Sequence, residues 1–342
     1  MTHSSFVVIT RTHGLLPLAR RLRSEGHPVH LMVWDPLYTR QVDGPLAGDP
    51  QQPEDLQWAI AEAEGGAVVV TDLEGLRAPF GNAHRFLGPL SWPTEPYSPL
   101  RLGGWFDGED LQCPHVLVAD VGPFGGGAGD PRVLGGLTLV NPDPRADLSL
   151  LRHLWTPVLA ELKARDFVGL VSAGVGTNEV GAPELTGVKA GWPGLHTAVW
   201  LSELEGLGDV LTGVKAPALD PWAHRYVTAL PVSIPPWPNL GDPAAEPPQG
   251  ELLVEGLTPQ QLARVFWHDV VVDTKRRAVV AAQRDGLVGV ARGAAHCLEL
   301  SRARALEIGL AAQVAGKQLR ADLGQSVAAV LSALEQGYGV QL

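Results

Sequence analysis

The strongest constraint on the fold lies at the start of the chain, where apolar runs of strand length alternate with helical stretches. FVVIT (Phe6 to Thr10) is a continuous apolar run, followed by Gly14. Leu15, Leu18, Ala19 and Leu22 then recur at helical spacing, and the segment stops at Gly26, a residue suited to a helix C-terminus. VHLMVW reads as a second strand, PEDLQWAIAEAE as a helix opened by Pro53 with Leu56, Ile60 and Ala63 on one face, and AVVVTD as a third strand. Strands that are apolar throughout, rather than alternating, are covered on both faces. The pattern predicts an N-terminal doubly wound parallel sheet over residues 1–77, within an α/β chain that is α+β as a whole.

Residues 78–100 hold five prolines and no periodicity, which predicts a connector. Strand-like LRLGGWFDG and HVLVADV follow, then an amphipathic helix in LSLLRHLWTPVLAELKARD and a hairpin whose strands are FVGLVSAGV and APELTG. LHTAVWLSELEGLGDVLTG reads as one further helix. A proline-rich stretch from Leu230 to Gly250 marks a second boundary. Beyond it, RAVVAAQ and GLVGVARG are strand-like and LELSRARALEIGLAAQVAG is helical. The expected organisation is therefore 1–77, a connector at 78–100, a core domain at 101–229, and a small β-rich C-terminal domain with a helix at 230–342. Trp34, Trp155 and Trp267 lie in amphipathic segments and are expected in cores.

The formal net charge is −11 and no basic block interrupts it, which argues against nucleic acid as a partner. Cys113 and Cys297 are the only cysteines, too few for a disulfide framework or a thiolate metal site. No stretch approaches the roughly 20 apolar residues that cross a bilayer, so no membrane partner is expected. FVVIT is too short for the apolar core of a secretion signal, and cytoplasm is the expected location.

Four features bear on chemistry. ADVGPFGGGAGDP carries glycines at 122, 125, 126, 127 and 129, an open backbone whose N–H groups can cradle a phosphate or close a long turn. Gly14 lies at the carboxyl end of the first strand, where doubly wound sheets hold ligands, although a plain strand-to-helix turn is the favoured account. His27 and His30 have metal-ligand spacing but no nearby carboxylate, as expected of a surface pair. Glu184, on the second strand of the hairpin, is a candidate magnesium ligand if it faces the glycine loop. No residue is assigned a catalytic role.

Taken together, GGWFDGEDL (Gly103 to Leu111), DVGPFGGGAG (Asp120 to Gly129), LPVSIPPWP (Leu230 to Pro238) and KQLRADLG (Lys317 to Gly324) resemble the phosphoribosylamine–glycine ligase family of the ATP-grasp class. The family's glycine loop, D-x-G-P-N-T-G-x-M-G, is met by Asp120, Gly122, Pro123, Gly126 and Gly129. Its chain end is met by Arg320, Asp322 and Gly324. Its magnesium-binding strand, E-F-N-A-R-F-G, is met weakly by Glu184, Leu185, Thr186 and Gly187. The resemblance implies a reduced ATP-grasp core, with Asp120 and Gly14 facing a ligand. It also implies an ancestral activity that joins glycine to phosphoribosylamine with ATP and magnesium.

The departures fall on that chemistry. The connector stands where the family has a nucleotide lid, and no lysine precedes Lys163. Only Arg85 and Arg101 lie between Ala78 and Asp130 to hold a phosphate in the lysines' stead. The acid expected before GWF is Gly103, Phe124 and Gly125 replace the Asn-Thr pair, and Thr186 replaces a metal-binding asparagine. The expectation is a catalytically inactive protein with a binding or structural role, needing no cofactor. Its partner would be a second protein chain, a second copy or a small phosphorylated ligand. An active ligase using ATP and magnesium and a phosphoribosyl-like anion binder are the alternatives. The connector is expected to cover the face left by the lid with Phe80, Phe86, Leu87, Trp92 and Tyr97.

Overall fold

The computed structural model of the protein describes residues 4–10, 14–33, 56–80, 85–92, 98–123, 132–142, 149–177, 183–192, 194–201, 204–217, 225–235, 237, 252–273, 278–281, 286–322 and 326–338. The chain opens with β1 (Phe6–Thr10), α1 (Leu16–Ser24), β2 (Val29–Val33), α2 (Leu56–Glu64) and β3 (Val68–Thr71). A 3-10 turn at Ala78–Phe80 leads to the short β4 (Phe86–Leu87). Next come β5 (Leu100–Phe106), β6 (Leu111–Pro123), β7 (Arg132–Val140), α3 (Ser149–Ala164), β8 (Gly169–Thr177) and β9 (Pro183–Ala190). They are followed by α4 (Gly194–Trp200), α5 (Leu207–Thr212), β10 (Tyr226–Ser233), β11 (Leu252–Val254) and α6 (Pro259–Leu262). The last elements are β12 (Val265–Trp267), β13 (Val270–Asp273), β14 (Ala278–Ala281), β15 (Leu287–Ala295), α7 (Leu298–Ala311) and α8 (Val327–Tyr338). None of these helices is long and apolar enough to cross a membrane.

The chain forms two compact units, one of Met1–Gly88, Leu230–Gly293 and Ala303–Ala321, the other of Pro89–Ala229, Ala294–Arg302 and Asp322–Leu342. In the first, β2-β1-β3-β4 make a parallel sheet, as the alternating sequence pattern predicts. Val7, Ile9, Met32 and Val69 pack with Ala59 and Ala63 of α2 and with Phe80. Phe6 and Val8, on the opposite face of β1, are also fully buried, and each such side chain contributes about 1.5–3 kcal/mol. The strand β4 departs from the connector reading. Its Phe86 and Leu87 pair in parallel with Val69 and Val70, adding an edge to the sheet. β11-β14-β13 form a separate antiparallel sheet, and β12 pairs with β15.

In the second unit, β10, through Ala229, begins an antiparallel sheet in the order β10-β7-β6-β5-β8-β9. Its core joins Leu102, Phe106, Val116 and Val171 to Trp155 and Leu162 of α3, with Leu298 of α7 and Val327 and Leu334 of α8. The single helix predicted over LHTAVWLSELEGLGDVLTG is instead two, α4 and α5. Gly206 breaks it with a left-handed backbone (φ 58°, ψ 54°) that a helix interior cannot hold. The described residues of the connector pack in two places. Phe80 and Leu87 are buried in the first unit, whereas Leu90 and the half-buried Trp92 pack on the core of the second, and Tyr97 lies outside the described residues. The chain passes from one unit to the other at Gly88, so each half of the segment serves its own core.

Gly286 pins the end of the first unit's β15 pairing. Its φ is +78°, and a Cβ there would sit 2.2 Å from the Ile234 carbonyl oxygen. Its own carbonyl accepts from the Ile234 N–H at 2.8 Å, so the two backbones cannot separate without losing that bond. Gly286→Ala is expected to cost about 2 kcal/mol or more in urea denaturation, from combined backbone strain and overpacking.

Candidate functional site

Gly14 lies beyond the carboxyl end of β1, which stands between β2 and β3, the point where strand order reverses. Thr10 Oγ1 donates to Asp72 Oδ2 at 2.6 Å. A Cβ on Gly14 would lie 3.2 Å from the same carboxylate oxygen and 3.8 Å from His268 Nδ1. Burial lowers the His268 imidazole to about 4, so it is neutral near pH 7. His27 and His30 are engaged elsewhere. His27 Nδ1 lies 3.2 Å from the Ser4 carbonyl oxygen, and His30 meets the edge of the Trp58 ring.

Asp120, near the end of β6, is 5% exposed, and its Oδ1 accepts from Ser326 Oγ at 2.7 Å. Ser326 immediately precedes α8, so the carboxylate sits near a helix N-terminus. The contact joins residues 206 apart in sequence. Gly122 falls on β6, and Gly125, Gly126, Gly127 and Gly129 lie outside the described residues.

Arg101, on β5, is 2% exposed. Its Nη2 donates to the carbonyls of Ser172 at 3.0 Å and Gly187 at 2.7 Å, and its Nε donates to Ser172 Oγ at 3.3 Å. The β8–β9 register shifts between Ser172 and Gly174, a bulge that interrupts the ladder there. The planar guanidinium fork reaches acceptors on both strands, a geometry that an ammonium does not share. Partial burial, and then the Arg101 charge, lower the Lys189 amine on β9 from its usual range.

The least expected feature is a pair of buried histidines. His115 of β6 and His196 of α4 are 3% exposed, with their Nε2 atoms 2.7 Å apart. His115 Nδ1 lies 2.9 Å from the Cys113 carbonyl oxygen. Burial lowers the His115 imidazole to about 4. His196 lies well below its ordinary value, through burial and then the charges of His115 and Arg101. Gly103 on β5 makes the space for them: a Cβ there would meet His115 Nε2 at 2.7 Å and His196 Cε1 at 3.0 Å. Beside the pair, the rings of Trp105 and Trp200 stack at 5.3 Å and 4°. Sequence reasoning passed over these histidines, which are 81 residues apart and lie in segments that read only as core. The one available signal was the Gly103-Gly104 doublet inside an otherwise bulky strand.

Glu184, at the start of β9, is exposed, and it is the single acid on β8 and β9. Thr186 lies two residues further on, paired with Gly174. Among the described residues no group of three or more His, Cys, Asp or Glu side chains could hold a metal ion.

Two measurements follow from the histidine pair. In the unfolded chain both rings protonate near 6.5, but in the fold His115 does so only near 4. The unfolded state therefore binds protons first, and stability falls as pH drops from 6.5 towards 4, by about 1.4 kcal/mol per pH unit for each such group. Urea midpoints measured between pH 7 and 4.5 should follow this decline, and His115→Gln should reduce its slope. Gly103→Ala should destabilise by about 1–3 kcal/mol, because the methyl group forces the imidazoles apart; chemical denaturation reads this directly.

No protein-family model matches the sequence, and no curated protein sequence matches it. Solved structures do. Phosphoribosylamine–glycine ligase from Thermotoga maritima aligns over 93% of this chain and 99% of its own, with a TM-score of 0.57 and 14% identity. Urea amidolyase from K. lactis aligns over 98% of this chain but 22% of its own, at 0.59 and 12%. N5-carboxyaminoimidazole ribonucleotide synthetase from Thermotoga maritima aligns over 91% and 99%, at 0.50 and 9%. At these identities the likeness concerns the fold. The parallel sheet and the antiparallel sheet of this chain are those of the ATP-grasp fold.

Proposed function

We propose that this chain is an ATP-grasp-fold protein that has lost phosphoryl transfer and acts by binding, as a shortened and degenerate relative of the phosphoribosylamine–glycine ligases. The observation that carries this reading is the volume beside Gly103. The resemblance puts an acid at that position, and here the space its side chain would need is filled by the imidazoles of His115 and His196. Magnesium takes hard oxygen ligands, mostly carboxylates and water. Two neutral imidazoles with their Nε2 atoms bonded to each other supply none, and Glu184 stands as the only acid on its strand pair. Among the described residues, no group of acids is gathered that would hold a magnesium–nucleotide pair, which supports the reading.

Phosphoryl transfer depends on positioning and on stabilising charge. Loss of one well-placed donor commonly costs about a hundredfold to a thousandfold in rate. Here the missing acid comes together with an absence of lysine before Lys163, and the one buried arginine of β5 is bound to backbone carbonyls. The binding partner we favour is a second protein chain or a second copy, since the buried arginine of β5 is committed to backbone carbonyls and is not open to a phosphorylated ligand. Two free cysteines accord with a cytoplasmic setting.

Thermal unfolding with and without ATP–magnesium tests the reading. A ligand present at a hundred times its dissociation constant adds about 2.7 kcal/mol of stability. The expected result is no saturable rise in Tm; a saturable rise overturns the proposal.

A further inference from the structure

We infer that the buried face of α4 holds one water molecule, clasped between His196 and Trp200. The hydrogen-bond chain through the histidine pair fixes what each ring presents. The Cys113 carbonyl can only accept, so His115 Nδ1 carries the hydrogen of their 2.9 Å contact. In a neutral ring that leaves His115 Nε2 as an acceptor, so His196 Nε2 must be the donor across the 2.7 Å contact. His196 Nδ1 is therefore a bare lone pair. It is buried and has no hydrogen-bond partner among the described residues.

Four residues further along the same helix, Trp200 Nε1–H is also buried without a partner. Residues at this spacing share a helix face, with Cβ atoms roughly 5–6 Å apart. Stacking on Trp105 fixes the plane of the Trp200 indole, and Trp192 packs obliquely against the other side of the cluster, 6.1 Å from Trp105. The two open groups are one donor and one acceptor. An anion meets the imidazole lone pair and a cation meets the indole hydrogen, so each is opposed by one of the two. A neutral hydroxyl accepts from the indole and donates to the imidazole, and satisfies both. Buried polar atoms left without partners are costly, and ordered water is their usual remedy.

The test is NMR on the full-length, 15N-labelled protein. The expected result is His196 as the Nε2–H tautomer and a cross-peak from Trp200 Hε1 to long-lived bound water. In Trp200→Phe, which keeps a stacking ring but has no N–H, the His196 Nδ1 resonance should shift as its water loses its second partner, while the Nε2 contact between the histidines persists. An Nδ1–H tautomer for His196, or no water cross-peak at Trp200 Hε1 in the unsubstituted protein, overturns the inference even if the variant fails to fold. A retained organic solute in place of water, seen as excess mass in native mass spectrometry, overturns it as well.

Discussion

The antiparallel sheet depends on how its bulged edge is satisfied. Where β8 and β9 slip register, the carbonyls of Ser172 and Gly187 turn to Arg101 on β5, and one buried guanidinium ties the three strands together. Without a donor of that reach, the carbonyls of Ser172 and the half-buried Gly187 would each lose a charge-assisted hydrogen bond, worth about 1.5–3 kcal/mol. The neighbouring electrostatics follow from this choice. Burial first, and then the fixed positive charge of Arg101, lower the Lys189 amine; the same charge adds to burial and His115 in keeping His196 neutral. The same arginine that could have met a phosphate is occupied in holding strands.

The histidine pair belongs to the same adaptation. Gly103 removes a side chain from β5, and the volume is refilled from two directions, by His115 on the adjacent strand and by His196 on the helix beyond β9. Both are neutral because burial penalises their charged forms, so the filling behaves as core. Layers and topology are set by apolar patterning, while a catalytic site needs particular charges at particular points.

The parallel sheet was legible in the sequence because FVVIT and AVVVTD are uninterrupted apolar runs and the intervening segments keep helical spacing. The β8–β9 hairpin was legible for a similar reason, as two short runs joined by polar and small residues. Helical periodicity misled at LHTAVWLSELEGLGDVLTG, since its apolar spacing runs on through Gly206 while the backbone there turns left-handed. The buried polar centre was illegible for a different reason. His115 to His196, Arg101 to Ser172 and Asp120 to Ser326 are all pairings at long sequence separation, and none leaves a local pattern. Only the space vacated at Gly103 hinted at the first of them.

The two units are interleaved along the chain, and this affects how the protein emerges from the ribosome. The N-terminal parallel sheet is complete by Leu87, yet the strands β11 to β14 that belong to its unit are made only after Leu252, once the bulk of the other unit has been synthesised. Contacts that span so much sequence are slow to form, because the chain between them must first be confined. The earliest segment therefore waits longest for its partners, with its apolar strands already made. Within this unit, the parallel sheet is therefore the part that stays uncovered longest during synthesis.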